Sequence, residues 1–154
     1  MTALEYFESI VTQQALVCGI EHRSESARVA AGPHGQQMGA IGGGGSHDSL
    51  ACIDSLIDSD AETQLSREKA KLRRLLDRAT DILYGRDANG GVAKAIGTDE
   101  ADMLCFHYLQ GESWASIAKR YEPVTSNLTM WCKYRAEWTC RQIDRIGMET
   151  LIDW

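Results

Sequence analysis

The residues best suited to chemistry lie near the C-terminal end of the chain. Thr125, Ser126, Asn127, Thr129 and Met130 open an expected helix, and Lys133 follows one turn later. Hydroxyl and amide groups at a helix start match the donors and acceptors on base edges, and a lysine further along suits a phosphate. Lys119, Arg120 and Arg135 flank this stretch as further phosphate contacts. Other groupings are poorer. Cys18 with His22, and Cys105 with His107, supply two ligands each, and no spacing supplies the other two of a zinc site. Asp54, Asp58, Asp60 and Glu62 read as a solvated helix face. His34 and His47 flank a glycine stretch with neither a nucleophile nor an orienting partner suggested by spacing. A binding protein is therefore expected rather than an enzyme, with no metal and no cofactor.

These residues need a particular scaffold. Thr98 is an expected cap for a short helix whose first turn carries Asp99, Glu100 and Asp102, the sign favoured at a helix start. Gly111 ends that helix. Ser113 then caps another, in which Trp114, Ile117, Ala118 and Tyr121 form an apolar face at helical spacing. Glu122-Pro123-Val124 breaks it, because proline cannot continue a helix. The last helix runs from about Thr125 to Gly147, with Leu128, Trp131, Cys132, Arg135, Trp138, Ile143 and Ile146 near one side and the three tryptophans Trp114, Trp131 and Trp138 expected in the core. Two short helices joined by a tight turn form a helix-turn-helix, whose second helix enters a major groove.

Upstream, residues 3–30 predict one helix with Thr2 at its cap, and a second runs from Ser46 or Asp48 to about Tyr84, where Gly85 is a natural stop. Between them, seven of the fourteen residues 32–45 are glycine, too many to hold a helix or a strand. No Lys-Ser/Thr follows, so this is not a phosphate cradle. The second helix needs a partner, and an antiparallel pairing with the first, extended by self-association as a coiled coil, is expected. The fold expected is all-α: a helical hairpin over 1–84, a glycine-rich linker over 85–97, a helix-turn-helix domain over 98–147 and an apolar tail over 148–154.

The chain has 154 residues and a formal net charge of −6, which argues against coating nucleic acid by charge alone. The balance is uneven. Residues 113–147 carry six Lys/Arg against three Asp/Glu, whereas residues 1–96 carry ten against thirteen. Five cysteines without CxxC spacing make a poor disulfide framework and point to reduced thiols in the cytoplasm. Neither a signal peptide nor a membrane span is expected.

The segment ADMLCFHYLQGESWASIAKRYEPVTSNLTMWCKYRAEW resembles the fourth conserved region of bacterial sigma factors, closest to small phage-encoded, sigma-factor-like transcription regulators. The residues that carry it are Tyr108, Leu109, Gly111, Ser113, Trp114, Ile117 and Ala118. The glycine-rich Pro-His-Gly stretch and the long helix after it match the layout of such proteins more weakly. The resemblance implies a homodimer that binds operator or promoter duplex DNA, with RNA polymerase as a further contact. Two features depart from the pattern. Glu122 and Pro123 stand where the family turn has glycine, and the recognition helix carries no charge before Lys133. One copy should then bind DNA weakly, since affinity follows the number of phosphates neutralised. Two alternatives use the same fold: an inhibitor of a host defence or polymerase component that acts by protein–protein contact, and a DNA-packaging adaptor.

Overall fold

A computed structural model describes the backbone of residues 1–30, 47–121 and 128–153, and the side chains of 1–29, 60–121 and 128–153. The fold is all-α, with no strand among the described residues. Its helices are α1 (Ala3–Ala30), α2 (His47–Tyr84), α3 (Gly91–Ala95), α4 (Thr98–Leu104, continued by a π-helical turn Cys105–Leu109), α5 (Trp114–Ala118), α6 (Leu128–Ile146) and α7 (Met148–Ile152).

The chain forms two compact units, and their boundaries differ from those expected. One comprises Met1–Gln13 with Leu72–Trp154, the other Gln14–Lys71. The start of α1 belongs to the first unit because its apolar stripe enters the same core as the C-terminal helices. Tyr6, Phe7 and Ile10 are buried with Ile82 and Leu83 of α2, Leu104 of α4, Ile143 of α6 and Leu151 of α7. The Phe7 and Tyr108 rings lie 5.5 Å apart, and the Tyr6 hydroxyl donates to the Leu75 carbonyl at 2.9 Å. The α1 N-terminus carries two caps. Thr2 and Glu5 form a reciprocal box, the Thr2 N–H donating to Glu5 Oε2 at 2.7 Å and the Glu5 N–H to Thr2 Oγ1 at 3.3 Å. The backbone bond from Thr2 holds the Glu5 carboxyl below its ordinary range. The Ala3 N–H, one of the orphan donors of a first helical turn, reaches Asp144 Oδ1 on α6 at 2.7 Å.

Residues 85–97 are not an open linker. Gly85, at φ +76°, ends α2, and Gly91, at φ +62°, turns the chain back on it. A Cβ on Gly91 would lie 2.5 Å from the Ile82 carbonyl oxygen, so only glycine permits this approach. The return starts α3 and sends Val92 into the core. The tail is structured too: α7 buries Leu151 and Ile152.

Within the second unit α1 and α2 carry ion pairs whose partners run in opposite directions, Glu21 with Lys69 at 2.6 Å and Arg28 with Glu62 at 2.5 Å. Val17 and Ile20 are its buried apolar side chains among the described residues. The glycine-rich stretch and the expected cap at Ser46 lie outside the described residues.

Candidate nucleic-acid interface

Helices α4, α5 and α6 meet in a small core of their own, in which Met103, Ile117, Ala118 and Cys132 are buried and Phe106, Trp114, Tyr121 and Leu128 pack around them. Ser113 caps α5 as expected, its Oγ accepting from the Ser116 N–H at 3.1 Å. Thr98 does not cap α4: Gly97 occupies the cap position, and no side chain bonds there. The residue of that turn with a structural task is Glu100, which is buried.

The π-helical turn ends at Gly111, whose φ of +72° allows the chain to reverse into α5. His107 stacks on Trp114 with ring centroids 3.8 Å apart, and its Nδ1 lies 2.8 Å from the Glu112 carbonyl oxygen. Helix α5 then tightens, the Lys119 N–H bonding the Ser116 carbonyl at 3.2 Å and the Arg120 N–H that of Ile117 at 2.9 Å. Residues 114–121 are thus a short helix and a turn, distinct from α6. The Tyr121 hydroxyl donates to the Asp99 carbonyl at 3.2 Å. Burial, with Asp102 and Asp99 nearby, pushes its pKa up to about 12.

Three of the expected base-reading residues, Thr125, Ser126 and Asn127, lie outside the described residues. Thr129, Met130 and Lys133 are exposed on the first turns of α6. Lys119 is exposed where α5 ends and has no carboxylate partner among the described residues. The two arginines of the expected set have other commitments. Arg120 pairs with Glu112 at 2.5 Å and lies 4.2 Å over the Phe106 ring. Arg135 donates from Nε and Nη2 to the buried Glu100 carboxylate, the Nε bond measuring 2.7 Å.

The two large tryptophans of α6 are not in the core. The buried side of α6 is Cys132, Ala136, Thr139, Cys140 and Ile143. These are mostly small side chains, buried in the two cores that α6 shares with α1, α4 and α5. Trp131 and Trp138 are 43% and 40% exposed, and Tyr134 between them is 61% exposed. The Arg135 guanidinium lies 5.7 Å from the Trp131 ring centroid and 5.4 Å from that of Trp138. Further along the same outer side, Arg141 and Arg145 are exposed and have no carboxylate partner among the described residues. The period of Cys132, Ala136, Thr139, Cys140 and Ile143 is the signal that locates these cations: it marks the inner side and so turns 141 and 145 outward.

Among the described residues no three His, Cys, Asp or Glu side chains group as metal ligands, and no helix is long and apolar enough to cross a membrane. No protein-family model, curated protein or solved structure matches the chain.

Proposed function

We propose that this protein is a non-enzymatic regulator that binds duplex DNA through α6, in the manner of the sigma-factor-like regulators of phages that its C-terminal segment resembles. One observation carries the reading. In a chain of net charge −6, Lys119, Lys133, Arg141 and Arg145 stand exposed on α5's end and on α6 without a carboxylate partner among the described residues. Exposed cations at these four positions supply an electrostatic footprint for a phosphate backbone. Thr129 and Met130 offer a hydroxyl and an apolar contact to base edges beside Lys133, while Arg120 and Arg135 serve the fold. The test is duplex binding followed by fluorescence anisotropy across a salt series. Affinity should fall steeply as salt rises, and Lys133→Ala should lower the slope of log K against log salt by about one. Absence of binding to any duplex at low salt overturns the reading. The exposed rings of Trp131, Tyr134 and Trp138 favour a second reading, in which the outer side of α6 takes a protein instead of a duplex.

A further inference from the structure

The outer side of α6 is divided along its length. Trp131, Tyr134, Trp138, Arg141 and Arg145 follow one another at steps of three, four, three and four residues, the spacing of a seam that faces a second helix. The first part of the seam is aromatic and the last part cationic. The two tryptophans of the aromatic part share one anchored cation. Buried Glu100 fixes Arg135, and the Arg135 guanidinium lies near both the Trp131 and Trp138 rings. A solvated tryptophan gains little from such bracing, whereas a contact surface does, because rings already ordered lose less entropy on docking.

We propose that α6 pairs antiparallel with α6 of a second copy of this chain. A twofold axis near Trp138 lays the aromatic part of each seam on the cationic part of the other. Arg145 then meets Trp131 of the second copy, and Arg141 meets Tyr134 of the second copy. Each contact occurs twice, as an isologous interface requires, and each is a cation over a ring. Parallel pairing stacks Arg141 on Arg141 and Arg145 on Arg145, and this repulsion excludes it. A foreign acidic helix would match the arginines but leave the rings without a specific partner; the antiparallel copy matches both parts. A single helix pair is a small interface, so the dimer is weak and reversible. The proposal does not rest on the duplex reading. It adds to it that the paired form covers Arg141 and Arg145, two of the four cations that would face DNA.

Sedimentation velocity over a concentration series, with no DNA present, tests the pairing. The wild-type chain should show a monomer–dimer equilibrium, and Trp131→Arg should weaken it roughly tenfold or more. Adding Arg145→Trp to Trp131→Arg exchanges the two ends of the seam and should restore dimerisation, because the antiparallel match is regenerated. Far-ultraviolet circular dichroism identical to wild type shows that each variant folds. A chain that stays monomeric at high concentration overturns the proposal. So does a dimer that Trp131→Arg leaves intact, or a double exchange that fails to recover it.

Discussion

The two long sides of α6 contrast in a direction opposite to the usual one. Its inner side is Cys132, Ala136, Thr139, Cys140 and Ile143, and its outer side carries Trp131, Tyr134 and Trp138. In α1 the large residues Tyr6, Phe7 and Ile10 face inward as hydrophobicity suggests. The difference comes from space. Where a helix lies close against its neighbours, volume is the limiting quantity, and small residues fill the gap. The bulky rings are then turned to solvent, where an arginine anchored on Glu100 lies near the two tryptophans. Burial thus follows the room available as well as transfer free energy.

The largest effect that sharpens this contrast is chemical. Burial, followed by the charges of Asp144 and Glu137, pushes the Cys140 thiol up to about 12 from an ordinary value of 9.0. Burial also raises Cys132. Near pH 8 the Cys140 thiolate population should be roughly a thousandfold below that of an ordinary thiol. Iodoacetamide labelling followed by peptide mass spectrometry should therefore modify exposed Cys18 readily and Cys140 only after unfolding. The sign for stability follows from the same shift. A thiol whose pKa is raised by folding contributes stability that is whole below pH 9 and is lost as the pH rises towards 12. Tyr121, also raised, acts in the same direction between pH 10 and 12. Alkaline titration followed by circular dichroism should show unfolding begin in that window. Rapid labelling of Cys140 in the native protein would break the contrast at its inner side.

Next in size is a pair of truncations on the two sides. Ile143 is fully buried, and Ile143→Ala should cost about 2–5 kcal/mol through lost transfer energy and the cavity left behind. Tyr134 on the outer side is mostly exposed, and Tyr134→Ala should change monomer stability by no more than about 0.5 kcal/mol. Urea denaturation at a concentration low enough to keep the chain monomeric measures both. Equal costs would show that the two sides do not differ as described.

Much of this architecture was legible in the sequence. Helical periodicity placed α1 and α2, the caps Thr2 and Ser113 stand where expected, and Gly85 and Gly111 end their elements at positive φ. Three features were not legible, each for a physical reason. The role of Val92 depends on Gly91 folding the chain back on α2, a tertiary contact with no local signature. The division into compact units depends on α1 reaching the core of the C-terminal helices, a pairing across most of the chain's length. The facing of α6 departs from the hydrophobic ranking, which puts tryptophan above cysteine, alanine and threonine, because the inner side of the helix takes the smaller residues. Of the expected interface, Thr129, Met130, Lys133 and Lys119 are exposed. Arg120 and Arg135 read as free cations in the sequence because linear order does not show that they pair with Glu112 and Glu100, the latter 35 residues from its partner.

The smallest effect probes the order of the outer side. Glu100 is buried, yet its partner Arg135 is about half exposed, so the ion pair is partly screened and contributes less to stability than its geometry suggests. Glu100→Gln keeps a carbonyl oxygen to accept from Arg135 but removes the charge that fixes the guanidinium. The fold should survive, with a loss of about 1 kcal/mol, below that of Ile143→Ala. The rings should respond more clearly than the stability. With Arg135 released, Trp131 and Trp138 lose the group that orders them, so steady-state tryptophan anisotropy should fall and acrylamide quenching should rise. Glu100→Asp, one methylene shorter, retains charge and should lie between the two. If Glu100→Gln lowers stability while anisotropy and quenching stay at their wild-type values, the indoles are held by their own packing, and Arg135 is a fold contact that happens to lie beside them.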